Sequence, residues 1–190
     1  MKKYSVLLTS AALAMCAGCL GPAPKAPKMW LVETKSTAAK STDEPRYGAV
    51  RLARLTVCAP YDRPPLAVLR NDGSVAFDPA NSFATSPAAM LKAAALDVIA
   101  STGIFTLAVE QSSSAATKNS LEITVTRIAL DCRTPGLRTA AVAVKVVLLE
   151  GRNVITSTEG DSEATAKDGD YSAAFSAAFT SALTQALKKL

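Results

Sequence analysis

The chain has 190 residues, of which 21 are Lys or Arg, 16 are Asp or Glu and none is His, for a formal charge of +5 at pH 7. The absence of histidine removes the usual general base, the usual zinc ligand and the usual triad partner. A weak positive balance, with no Lys/Arg run interleaved with aromatics, is not a nucleic-acid-binding signature.

Lys2 and Lys3 open the chain as a short positive region. Val6–Leu8 and Ala11–Met15 follow as an uncharged apolar stretch, too short to span a bilayer. The stretch ends in Cys16-Ala17-Gly18-Cys19, which resembles the lipobox of bacterial lipoproteins, with Cys16 where that motif usually carries Leu. Bulky Met15 makes Cys16 a poor acceptor, so Cys19 is the residue expected to carry lipid. Residues 1–18 are then a signal peptide, and their removal lowers the net charge to +3. Two or three acyl chains anchor durably, at about 0.8 kcal/mol per buried CH₂, which makes this a palmitate-type lipoprotein held on a membrane. Leu20, rather than Asp, follows the lipidated cysteine, and the expectation is the outer membrane over the inner, on its periplasmic face.

Residues 19–28 form a proline-rich tether with a reach of roughly 25–30 Å. A single domain is expected over 29–190. Met29–Val32 suits a short strand, and 34–47 is a polar loop. Val50–Cys58 reads as a strand, and Leu66–Leu69 and Val75–Phe77 flank Asn71-Asp72-Gly73, a hairpin signal. Ser86 followed by Pro87 is an N-cap with proline at the first helical position. That helix presents Leu91, Ala95, Val98 and Ile99 on one face and stops at Gly103. Phe105–Val109 resumes a strand.

In the next strand Leu121, Ile123 and Val125 share a face, and then Ile128, Leu130 and Cys132 take over, which requires a bulge near Thr126-Arg127. Residues 140–149 are apolar on both faces and should be central and covered on both sides. A last strand runs from Asn153 to about Ala164. Asp170 caps a closing helix whose inner stripe is Phe175, Phe179, Leu183 and Leu187, and its alanines would let it approach the sheet closely. The expected fold is α+β: a mostly antiparallel sheet with both helices on one face.

Chemistry is sparse. Cys58 and Cys132 either form a disulfide or are two separate buried thiols. Asp161, Glu163, Asp168 and Asp170 cluster without the spacing of a calcium loop and read as a solvated turn with a helix cap. No phosphate loop, catalytic set, metal site or cofactor motif is evident. Trp30, Tyr61, Phe77 and Phe83 are the aromatics to watch as exposed interface residues, with ordinary sheet-core positions as the competing reading for each.

The order of lipobox, proline tether, Trp30-Leu31-Val32, the turn Pro60-Tyr61-Asp62-Arg63-Pro64-Pro65, Leu66–Arg70, the Asp-Gly hairpin and an aromatic-and-proline segment before a helix resembles the ABC-type transport auxiliary lipoprotein family. Phe83 stands nearest to where that family usually has tryptophan. The resemblance implies a non-catalytic part beside an MCE-domain protein, an ABC permease and an ATPase, in a system moving lipids or other hydrophobic molecules. Tyr61, Arg63 and Phe83 are the partner-binding candidates, and self-association as a homo-oligomer stays open. The competing reading is a structural or assembly lipoprotein of an outer-membrane complex with no transporter.

Overall fold

The structure is a computed structural model and describes residues 25–34 and 44–190. The signal peptide, Cys19 and most of the tether therefore lie outside the described residues, as does much of the polar loop 34–47. The elements in chain order are β1 (Lys28–Trp30), β2 (Val50–Val57), β3 (Pro65–Leu69), β4 (Val75–Phe83), α1 (Pro87–Ser101), β5 (Ala108–Glu110), β6 (Asn119–Asp131), β7 (Thr139–Glu150), β8 (Asn153–Thr165) and α2 (Tyr171–Lys188).

β6 is the spine. Leu121, Ile123 and Val125 alternate into the core, the register slips between Val125 and Arg127 against β7, and Ile128 and Leu130 continue the buried set. At the slip the Thr126 hydroxyl donates to the Ala143 carbonyl at 3.2 Å, giving the extra residue a polar partner. On one side β6 pairs with β7, which pairs with β8, both antiparallel. On the other side β2 runs parallel to its first half and β3 parallel to its end. β4 pairs with β3 antiparallel, while β1 is parallel to β4 and β5 parallel to β2.

The sheet is thus mixed rather than mostly antiparallel. Consecutive strands do pair as hairpins in β3–β4, β6–β7 and β7–β8. β1, β2 and β3, however, each also pair with a strand formed later in the chain. For β2 and β3 the crossover that parallel pairing demands is supplied by the stretch containing α1, whereas β1 and β4 are joined through 31–74, ahead of α1. Near Phe105 the chain makes only an isolated bridge with Tyr47, and the strand begins later, at Ala108.

Both helices cover one face of the sheet. Ser86 accepts from the Ala89 amide at 3.4 Å, and Asp170 from the Ala173 amide at 3.0 Å, as their positions ahead of the helices require. Phe175, Phe179, Leu183 and Leu187 are buried against β7 and β8, and α1 lies on β2 and β5 with its Leu91, Ala95, Val98 and Ile99 in the same core. β7 is central, but among the described residues no element covers its second face. Val142, Val144, Val146 and Leu148 are buried under the helices, whereas Ala143, Val147 and Leu149 are half-buried and Lys145 is exposed. Small residues such as Ala141 and Ala143 leave that face little apolar surface to hide.

Candidate functional site

β2 and β3 lie in line along one edge of β6, interrupted by an excursion. Val57 is the last β2 residue paired with β6, opposite Val125, and Val68 takes up the same edge opposite Leu130. The surplus chain leaves the sheet as the loop 58–64, turned by the Tyr61 amide donating to the Cys58 carbonyl at 2.9 Å. This loop is the Pro-Tyr-Asp-Arg-Pro segment. Tyr61 is half-buried against the core, and Arg63 is exposed with its guanidinium 6.0 Å from the centre of the Phe77 ring. A cation over an aromatic face at that distance is attractive. The Phe77 side chain is 40% exposed, so the pair forms a surface feature.

Phe83 does not join it. It is 3% exposed and meets Phe175 edge-on at 5.3 Å, so it belongs to the core and is withdrawn as a partner-binding residue. The cause is a bulge: β3 pairs Pro65 with Ser82 but Ala67 with Phe77, so Asp78–Asn81 contains an odd excess of residues. The faces of β4 reverse across it, and Phe83 points toward the helices while Phe77 points away. Asp78-Pro79 was the available signal, since proline within a strand marks a bulge or an edge. Trp30 is half-buried; its Nε1 donates to Asn81 Oδ1 at 2.9 Å and its ring lies 5.2 Å from Tyr171.

Cys58 and Cys132 are free thiols. Cys58 follows Val57, opposite Val125, whereas Cys132 follows Asp131 and its amide bonds the Leu69 carbonyl. Roughly six residues of extended β6 separate the two levels, about 20 Å at 3.3 Å per residue, against the 7 Å or so that a disulfide tolerates. The bridge is therefore excluded in this fold. Cys58 is exposed, and Cys132 is half-buried with its thiol pKa pushed up by burial, which Arg138 partly opposes.

Around the β6–β7 loop the charged groups satisfy one another. Asp131 is bound by Arg133, and Arg138 donates to the Tyr171 hydroxyl. Shallow cavities of about 480 and 360 Å³ flank them, the first reaching Cys132 and the second Glu163. A longer groove of about 800 Å³ follows the outer side of α2, walled by Ser176, Thr180, Thr184 and Lys188, with Glu33 and Thr34 across it. Hydroxyls dominate its walls. Asp170 of the acidic cluster is the α2 cap, and Asp161 and Glu163 are exposed along β8. Among the described residues no three His, Cys, Asp or Glu side chains come together as a metal site, and no helix is long and apolar enough to cross a membrane.

No protein-family profile matches the chain, and no curated protein matches it. Solved structures do. A Xanthomonas campestris protein of the family designated DUF330 is similar over 87% of this chain and 90% of that one, with 19% identity and a TM-score of 0.60. An uncharacterised protein is similar over 87% of this chain and 96% of its own, with 10% identity and a TM-score of 0.62. A PelC from Paraburkholderia phytofirmans, solved as a dodecamer, reaches a TM-score of only 0.44 at 16% identity, over 77% and 89% of the two chains. The first two comparisons establish a shared fold.

Proposed function

We propose that this chain is a non-catalytic lipoprotein, cut before Cys19 and anchored on the periplasmic side of the cell envelope, that serves as an auxiliary component of an ABC/MCE-type system moving lipids or other hydrophobic molecules. The observation that carries the reading is the excursion 58–64. The segment that gave the sequence its resemblance leaves the sheet between two strands that would otherwise run on, and it presents Arg63 stacked on an exposed Phe77. Aromatic and arginine side chains of this kind supply most of the energy of protein interfaces. A loop that interrupts an edge, seated by Tyr61 and presenting Arg63 to solvent, suits recognition.

In this role the domain contributes binding surface, and a separate ATPase supplies energy. Leu20 favours the outer membrane as the site of the anchor. Tyr61 sets the loop on the core, and Arg63 is the group that meets a partner.

The anchor is tested by metabolic labelling with a fatty-acid analogue. Wild type and Cys16→Ala should incorporate label, and Cys19→Ala should not. A labelled Cys19→Ala protein contradicts the proposal.

A further inference from the structure

Residues 28–34 form an arm that crosses from the sheet onto the helices. β1 lies at the edge of the sheet and pairs only with β4. Past Trp30 the chain leaves the sheet and is tied to both helices. The Ser172 hydroxyl donates to the Leu31 carbonyl, the Val32 amide meets Met90 Sδ at 3.2 Å, and the Glu33 amide donates to Ser176 Oγ at 3.0 Å. The Thr34 hydroxyl then donates to the Asp97 carboxylate of α1 at 2.9 Å.

The arm is held lightly. Val32 is its one buried side chain, Trp30 and Thr34 are half-buried, and Lys28, Met29, Leu31 and Glu33 are exposed. The bonds at Leu31, Glu33 and Thr34 stand open to water, which competes for both partners, so each adds little net stability. β6, by contrast, is paired on both sides and buries Leu121, Ile123 and Val125 fully. A segment with few buried contacts and exposed hydrogen bonds opens locally at low cost.

The place of the arm in the chain gives its opening a consequence. Cys19 stands nine residues ahead of Lys28, a contour of at most about 30 Å. Among the described residues beyond Thr34, Tyr47 is the next tied to the domain. Its amide donates to the Ile104 carbonyl and its hydroxyl to the Leu190 carbonyl, both at 3.0 Å, and its ring stacks on Phe105. Cys19 is 28 residues from Tyr47, a contour of up to about 100 Å. We propose that the arm is a releasable clasp on the lipid tether. Docked, it holds the domain close to the membrane; released from β4 and the helices, it roughly triples the reach while the rest of the fold stays intact. The clasp rests on the Cys19 anchor and adds an adjustable span between that anchor and the partner-binding surface.

Two neighbouring amides read the clasp. Ala84 donates to the Trp30 carbonyl at 2.9 Å, whereas Phe83 donates to Pro64, outside the arm, at 2.7 Å. In the full lipidated protein in micelles, hydrogen exchange followed by NMR should find the Ala84 and Glu33 amides about 100-fold or more faster than those of β6. Val32→Ser, which removes the apolar side chain at the arm's one buried position, should speed them by about a further tenfold and leave Phe83 and β6 unchanged. Arm-dependent amides as slow as β6 in wild type overturn the clasp, as does a Val32→Ser effect spread equally over Phe83 and β6. Reach is read on phosphatidylethanolamine–phosphatidylglycerol vesicles carrying an acceptor-labelled lipid, with a donor dye on exposed Cys58 in a Cys132→Ser background. Energy transfer should fall when Val32→Ser is added. Equal transfer in protein that floats with the vesicles overturns the added reach and leaves the anchor standing. Protein that fails to float overturns the anchor, and the reach with it, while the exchange result still decides whether the arm opens.

Discussion

Asp131 and Arg133 meet as a fork: Arg133 Nε lies 3.0 and 2.9 Å from the two Asp131 oxygens, and the Arg133 amide donates to Oδ1 at 2.9 Å. These bonds, the Arg133 side chain's first, hold the Asp131 carboxyl below the ordinary aspartate value of 3.8. A carboxyl whose pKa is depressed by folding stabilises the protein fully above its unfolded value, and that stabilisation is lost as pH falls through the folded one. Asp131→Asn should therefore cost about 1 kcal/mol or less near neutral pH, read as a melting point lower by about 2–4 °C. The gap should close as the pH drops below about 3.8. A gap independent of pH contradicts the assignment. The cysteines make a second prediction at this scale. Thiol titration of the folded protein should find both Cys58 and Cys132 reactive, Cys58 the faster because it is exposed. A protein with no free thiol would contradict the strand register.

Gly160 shows how closely one element lies on another. A Cβ built on it would stand 2.1 Å from the Ala182 carbonyl oxygen and 2.9 Å from the Ala186 nitrogen, so β8 and α2 touch backbone to backbone. The Thr158 hydroxyl, two residues earlier, donates to the Ala186 carbonyl at 2.9 Å. The alanine row of α2 announced this close approach; which strand residue it met could not be read, because Gly160 sits among polar neighbours. Gly160→Ala should force the helix off the sheet, costing about 2–3 kcal/mol and lowering the melting point by about 5–10 °C, with calorimetry as the check. An unchanged melting point would mean that β8 and α2 lie further apart. Caps and hairpins were legible for a related reason: Ser86-Pro87, Asp170 and Asp72-Gly73 act through their nearest neighbours. Gly73, at φ 81°, takes a turn geometry that glycine alone adopts freely.

At the scale of the molecule, the limits of the sequence have two physical sources. Parallel pairing joins segments far apart in the chain, so nothing local in Val50–Val57 reveals that β6 is its neighbour. Bulges reverse faces: the one after Val125 was visible because a long apolar series changed phase across it. The one at Asp78-Pro79 had no such series, and Phe83 was consequently placed on the surface. Of the proposed interface residues, Tyr61 and Arg63 stand together on the excursion, and Phe77 replaces Phe83 beside them. This surface is proposed to serve a lipid-transport assembly. Its most direct measurement is affinity isolation of the lipidated protein from detergent-solubilised membranes, with the co-purifying proteins identified by mass spectrometry. An MCE-domain protein with its ABC permease should be recovered, in amounts reduced by Arg63→Ala with Phe77→Ala while the domain keeps its melting point. Recovery of outer-membrane barrel machinery alone, with no MCE-domain protein, would contradict it.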